Sequence, residues 1–223
     1  MRTDKMREEN FFQTFLRSRR SIRSFRTDPV PTEILNRILE TSTCAPSAHN
    51  LQPWRFIVLT STEAKTRFSE AVTGKFRQDM IADGVPEQVI EARIDQTIRR
   101  ARLAPIIVVL CRDRKMVKTQ PDAVRKEAET RMGVQSVAMA GLQLLLAAHA
   151  EGLGGIWICW PLFAPEETIH ALELDADWEP QGMVILGYPD EAPEMPARIS
   201  YRKLSDHYEN CRSGRRCWRR EAG

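Results

Sequence analysis

Two short runs hold residue types that can do chemistry together. The first, Arg19-Arg20-Ser21-Ile22-Arg23-Ser24-Phe25, presents three guanidinium groups and two hydroxyls. Guanidinium is always charged and donates two parallel hydrogen bonds, which suits a phosphate. The second, Ala45-Pro46-Ser47-Ala48-His49-Asn50-Leu51-Gln52-Pro53-Trp54, is a polar loop stopped by proline and an aromatic, and it leads into an apolar run. A cofactor with a phosphate at one end and a flat polar ring at the other can be held between them. Plainer readings stand beside this one. The arginines can be a solvated helix end, and His49 a hydrogen-bonded structural histidine. Asn50 and Gln52 can bond the loop's own backbone. Cys44 and Cys159 can be small buried hydrophobes, and Trp157 and Trp160 large apolar groups.

The elements that must position these runs follow from periodicity. Residues 5–18 read as a helix with Phe11, Phe12, Phe15 and Leu16 on one face. Asp28-Pro29-Val30-Pro31-Thr32 reads as a turn, with Thr32 capping a helix over Glu33–Thr43 whose stripe is Ile34, Leu35, Ile38 and Leu39. Trp54–Thr60 is rich in β-branched and aromatic residues and reads as a strand. Two polar amphipathic helices, 62–81 and 86–103, flank Asp83-Gly84-Val85-Pro86. Pro105–Cys111 is almost wholly apolar, the pattern of a strand covered on both faces. A long helix over 121–150 is apolar nearly all round from Val134, so it belongs in the middle of the molecule or of a dimer. It stops at Glu151-Gly152-Leu153-Gly154-Gly155, read as a helix end with close backbone approach to a ring. Strands at Ile156–Trp160 and Met183–Gly187 and a helix at Pro165–Leu174 complete an α+β domain with a central sheet.

Composition bounds the rest. The chain has 223 residues, 42% of them hydrophobic, enough for one domain with a proper core. We place that domain at 1–210 and read 211–223, with five arginines and no periodicity, as a mobile basic tail. A net charge of +3 gives a weak overall field and disfavours nucleic acid as a partner. No uninterrupted apolar run approaches the ~20 residues that span a bilayer, and no signal core follows Met1, so a cytoplasmic, non-membrane protein is expected. The five cysteines lack zinc spacing, no metal ligand set is apparent, and an odd number fits reduced thiols.

The ordered set Arg-Arg-Ser-x-Arg-x-Phe, Ala-Pro-Ser-x-x-Asn-x-Gln-Pro-Trp, a long apolar helix ending in Gly-Leu-Gly-Gly, and a strand ending in Leu-Gly-Tyr-Pro resembles the FMN-dependent nitroreductase family over roughly residues 10–208. Three further runs, Gly133–Ala138, Gly152–Phe163 and Asp177–Gly182, resemble one subgroup, the C-terminal flavin reductase domain of the γ-glutamyl ligase that makes the deazaflavin coenzyme F-420. The resemblance implies a nitroreductase-like fold with a mostly antiparallel sheet, and an intertwined homodimer with FMN at the interface. It places Arg19, Arg20, Ser21 and Arg202 at the phosphate and ribityl chain. It places Arg23 at the pyrimidine edge, where a cation raises the flavin potential. Pro46, Ser47, Ala48, Asn50 and Gln52 then belong to the loop that the partner lays against the ring, and Cys159 and Trp160 to the backbone near flavin N5. The implied activity is hydride transfer through FMN, from NAD(P)H or a reduced deazaflavin to a conjugated acceptor: a deazaflavin precursor, a nitro compound or a quinone. Lys75 and Arg77 lie where the family varies its substrate cover. Two other readings remain: a flavin-fragmenting enzyme that makes 5,6-dimethylbenzimidazole, and a non-catalytic flavin-binding protein.

Overall fold

The computed structural model describes residues 10–204, together with the backbone of His207–Glu209 and Cys217–Arg219. Contacts group the chain into two units, Met1–Pro193 and Glu194–Gly223.

The first unit is built on an antiparallel sheet. Its strands are β1 (Trp54–Leu59), β2 (Ile106–Asp113), β3 (Gly154–Ile158) and β4 (Trp178–Gly187), in the spatial order β1-β2-β4-β3. Strand β2 pairs with β1 and β4 and is buried along its whole length, as its unbroken apolar run requires. Its side chains alternate. Ile106, Val108 and Leu110 join one core cluster, while Ile107, Val109 and Cys111 join the other.

The first core is filled by α2 (Thr32–Ser42) and α5 (Ala123–Ala150), the second by α3 (Thr62–Ala82) and α4 (Glu87–Leu103). Helix α5 is long and apolar enough to cross a membrane by length and composition alone. Here Val137, Ala140, Leu144 and Ala148 are fully buried in the core shared with β1, β2 and β4. Burying side chains of this kind contributes about 1.5–3 kcal/mol for each Leu or Val, so α5 is a core helix.

Three departures from the sequence reading have local causes. Thr32 is the first helical residue of α2, and Pro31 takes the cap position without a side-chain bond. Proline fixes the extended φ that chain entry needs. Strand β4 begins at Trp178, ahead of Met183, because a bulge between Leu110 and Cys111 lets β2 pair across Pro180. Strand β3 begins at the glycines. A Cβ at Gly154 would lie 2.6 Å from Ile22 Cγ1, and one at Gly155 2.8 Å from both Leu145 and Leu186. Those glycines therefore make room for protein side chains, whereas Gly152 ends α5 with φ +75°.

The remaining helices of this unit are short: α1 (Phe11–Ser18), capped by Asn10, α6 (Trp160–Phe163) and α7 (Pro165–Leu172). The expected N-terminal start of the first helix lies outside the described residues. In the second unit, a 3-10 turn spans Tyr201–Lys203, and the backbone of β5 (His207–Glu209) pairs antiparallel with β6 (Cys217–Arg219). The remainder of the basic tail expected over 211–223 lies outside the described residues.

Candidate functional site

The arginine run leaves α1 and crosses the start of β3. Ser21 bridges Gly155, and the Ile22 N–H donates to the Gly155 carbonyl at 3.1 Å. This places Arg19 and Arg20 on a cavity of about 400 Å³ that is also lined by Ser18, His149, Gly152–Gly155 and Glu191. The two arginines are used differently. Arg20 donates to the carbonyls of Arg17 (2.6 Å) and Arg19 (3.0 Å), tying off the end of α1. The half-buried Arg19 guanidinium has neither a hydrogen bond nor a carboxylate partner among the described residues. Arg23 is exposed, and its guanidinium donates to the Ser21 carbonyl at 3.4 Å. Its backbone N–H, with that of Ser24, donates to the Glu191 carboxylate. Those backbone donors, Arg23's first, hold the Glu191 carboxyl below the usual carboxylate range.

His149 and Glu191 are missing from the sequence reading. His149 bonds Ser18 Oγ at 2.7 Å and stacks on Phe15 with ring centroids 4.9 Å apart. Partial burial lowers its pKa, and the Arg19 and Arg20 charges lower it further. One signal was available: it is the only titratable residue in the apolar half of the helix, Val134–Ala150. Glu191 carries no such signal, because its donors come from a segment far away in sequence.

The polar loop sits at the other end of α5. Ser136 Oγ accepts from the Ala48 N–H at 3.3 Å, and Ser47 Oγ accepts from the Gln52 N–H at 3.0 Å. His49 Nε2 lies 3.8 Å from a carboxylate oxygen of buried Glu129, which also accepts from Gln120 Nε2 at 2.8 Å. The Gln52 amide reaches Asn50 Oδ1 at 3.4 Å. His49, Asn50 and Gln52 hold φ of +54°, +54° and +50°. Left-handed backbone at a residue with a Cβ costs on the order of 1–2 kcal/mol, so Ser47, Ser136 and Glu129 hold a conformation that the loop alone does not favour. Pro46, Ser47 and Ala48 lead into this strained turn.

One chain does not bring the two candidate clusters together. Ser136 touches the loop and His149 lines the cation cavity, and at ~1.5 Å rise per residue about 20 Å of α5 separates them. Cys159 and Trp160 occupy a third place, where β3 exits into α6. Cys159 Sγ accepts from Trp157 Nε1 at 3.2 Å. Trp160 takes the first helical position, where its N–H has no acceptor inside the helix. Between them and the cavity runs β3, with the Trp157 ring set against Gly141 and Gly182, where an added Cβ would come within 2.3 and 2.4 Å. Arg202 lies on the 3-10 turn of the second unit. Cys111 is buried, and its thiol is pushed up to about 12, first by burial and then by the Glu179 charge. Lys75 and Arg77 are taken up by carboxylates, Lys75 by Asp79 and Arg77 by Glu87 and Glu91. Among the described residues, no three His, Cys, Asp or Glu side chains converge as metal ligands.

Residues 16–188 match the sequence profile of the nitroreductase family. The chain belongs to that family. Its membership supports the oxidoreductase class and the α+β fold expected from the motifs. A Thermus thermophilus NADH dehydrogenase is 30% identical over 197 residues, covering 78% of this chain and 84% of its own length. A 5,6-dimethylbenzimidazole synthase of Rhodospirillum rubrum is 29% identical over 192 residues, covering 85% and 88%. The fold is similar to the NADPH:FMN oxidoreductase of Vibrio harveyi, solved with NAD+, at a TM-score of 0.69 and 20% identity over 89% of this chain and 77% of that one.

Proposed function

We propose that this chain is an FMN-dependent oxidoreductase that works as a homodimer and moves hydride from NAD(P)H or a reduced deazaflavin to a conjugated acceptor. The observation that carries the reading is the Arg19 guanidinium, unpaired among the described residues, on a cavity that Arg20 and the Gly152–Gly155 segment also line, with His149 and Glu191 at its sides. That donor set fits a phosphate monoester, which two nearby cations and close backbone approach favour. Bound FMN supplies the acceptance of hydride from one small molecule and its donation to another.

The chain's own residues do the rest. Arg19 binds the phosphate, and Arg20 keeps α1 in place to present it. Ser21 reaches the ribityl chain. Arg23 offers positive charge to the ring edge that gains electrons. Cys159 and Trp160 orient the ring through their backbone. The Ser47–Gln52 loop, with Pro46, Ala48 and Asn50, closes the ring face of the partner's site, because about 20 Å of helix keeps it from its own Arg19. Phe11, Phe12 and Leu142, 75%, 70% and 53% exposed, supply apolar surface for a second copy. The narrower reading makes the acceptor a dehydro precursor of the F-420 deazaflavin, and the subgroup runs at 133–138, 152–163 and 177–182 support it.

The test is anaerobic stopped-flow on the purified dimer with NADH, NADPH and reduced deazaflavin in parallel. Bleaching of bound yellow flavin by at least one donor is expected. A colourless protein that takes up no FMN at micromolar concentration overturns the proposal. The similarity to a 5,6-dimethylbenzimidazole synthase favours a second reading, in which the reduced flavin is itself consumed. Loss of FMN with appearance of dimethylbenzimidazole, when the reduced protein meets air, selects it. Steady turnover rejects a passive flavin store.

A further inference from the structure

A second cavity, about 350 Å³, opens between α3, α4 and α6. Phe76, Met80, Ile94, Trp160 and Phe163 line it, with Arg93 at its side. It adjoins the redox end of the proposed site, since Trp160 follows Cys159 directly. Aromatic and thioether walls of this kind take a flat polarisable ring, and the volume suits a small molecule.

The charges around it single out one residue. Asp79 also lines the cavity, but Lys75 neutralises it. Arg77, on the same helix, is held by Glu87 and Glu91. The Arg93 guanidinium has only Met80 Sδ, at 3.9 Å, and no carboxylate among the described residues. The cavity therefore carries one uncompensated cation beside an apolar slot. The larger groove between α3 and α7 lacks both features: it is lined by Glu166, Glu167, His170 and Glu173 with no Phe, Tyr or Trp ring, and its Arg67 lies 3.6 Å from Glu173.

We propose that this cavity is the acceptor pocket and that Arg93 selects planar conjugated acceptors carrying an anionic substituent, such as a carboxylate. This rests on the oxidoreductase reading above and adds the substrate class to it. The ring lies against Trp160 and Phe163, and the carboxylate meets the guanidinium in a fork. A nitroaromatic probe gives a balanced reaction: the nitro group accepts two electrons and two protons, becomes nitroso and releases water, while NAD(P)H and one solvent proton yield NAD(P)+.

The experiment compares 4-nitrobenzoate with its neutral isostere 4-nitrobenzamide on the flavin-loaded enzyme. Wild type should favour the carboxylate about tenfold in kcat/KM, and Arg93→Gln should bring the ratio near one, the loss falling on the carboxylate. Arg93→Lys should keep part of the preference. Arg99→Gln, on α4 outside this cavity, should keep all of it. Calorimetry of 4-nitrobenzoate binding to the oxidised enzyme reads the same contact without turnover and should weaken about tenfold in Arg93→Gln. A preference or affinity that survives Arg93→Gln overturns the proposal. So does a variant that raises only the NAD(P)H KM, which would give the arginine to the donor. Flavin bleaching by a donor, scored separately, keeps a failure here distinct from a failure of the oxidoreductase reading.

Discussion

At the C-terminal end of α5 the backbone is relaxed and charge is concentrated: Arg19 has no carboxylate partner among the described residues, Arg20 is fixed by carbonyls, and His149 is biased towards neutrality by burial and then by both arginines. At the other end the polar groups are taken up by one another and the backbone is strained: Glu129 accepts from Gln120 and lies 3.8 Å from His49, while His49, Asn50 and Gln52 hold positive φ. The two ends suit the two ends of one ligand. The first should grip by charge, weaken with salt and ignore the ring. The second should grip by shape and ignore the phosphate.

The largest effect is expected from Gly154→Val. Its Cβ would strike Ile22, so the Ser21–Ile22 segment must leave β3. Overpacking of this kind costs about 1–3 kcal/mol, and FMN affinity should fall by more than about a hundredfold, which is beyond ~2.7 kcal/mol. Thermal melts and flavin fluorescence titration check both. If FMN binding survives, the cation cavity is not the phosphate site.

Ser47→Ala comes next. It removes the hydroxyl that accepts from Gln52, a loss of about 1 kcal/mol. The loop should relax and weaken FMN and riboflavin equally, by roughly fivefold. A loss confined to FMN would erase the contrast between the ends.

His149 offers a pH test. Its pKa is lowered in the folded chain, so above about 6.5 both folded and unfolded forms are neutral and the full stability is present. As pH falls from there towards the folded value, the unfolded chain takes the proton first and stability drops. His149→Gln should therefore flatten the decline of Tm between about pH 6.5 and 5, and an unchanged slope would place the titration elsewhere. The smallest effect belongs to Glu191→Gln. It keeps an acceptor for the Arg23 and Ser24 N–H groups and removes one negative charge from the cavity, so FMN should bind about two- to threefold tighter, the gain an ion pair worth ~0.5 kcal/mol gives.

Much of this architecture was legible in advance, and the gaps have reasons. Helices α3 and α4 read as amphipathic stretches either side of a Gly-Val-Pro turn, β1 as a run of β-branched and aromatic residues and β2 as an unbroken apolar run, so local pattern suffices for all four. The first half of β4 was hidden because Pro180 and Gly182 argue against a strand. Only the bulge at Gln181, opposite Leu110 and Cys111, and the Trp157 ring over Gly182 make them acceptable there. Gly154 and Gly155 read as loop because the side chains that need their space lie elsewhere in the sequence. At the site, the arginine run and the polar loop announced themselves by type. Which arginine lacks a carboxylate among the described residues did not: Arg20 caps α1, Arg77 is pinned between two glutamates and Arg93 meets only Met80 Sδ, and such pairings exist only after folding. The separation of the two clusters along α5 is likewise a three-dimensional fact, and it turns a list of residues into an argument for a shared site.

The most direct test of that argument is equilibrium binding of FMN against riboflavin, which differ only by the phosphate, to wild type and Arg19→Gln. The account predicts that wild type binds FMN at least about a hundredfold more tightly than riboflavin, ~2.7 kcal/mol, and that Arg19→Gln removes most of that difference by weakening FMN alone. Equal affinities for the two flavins in wild type, or a ratio untouched by Arg19→Gln, would contradict it.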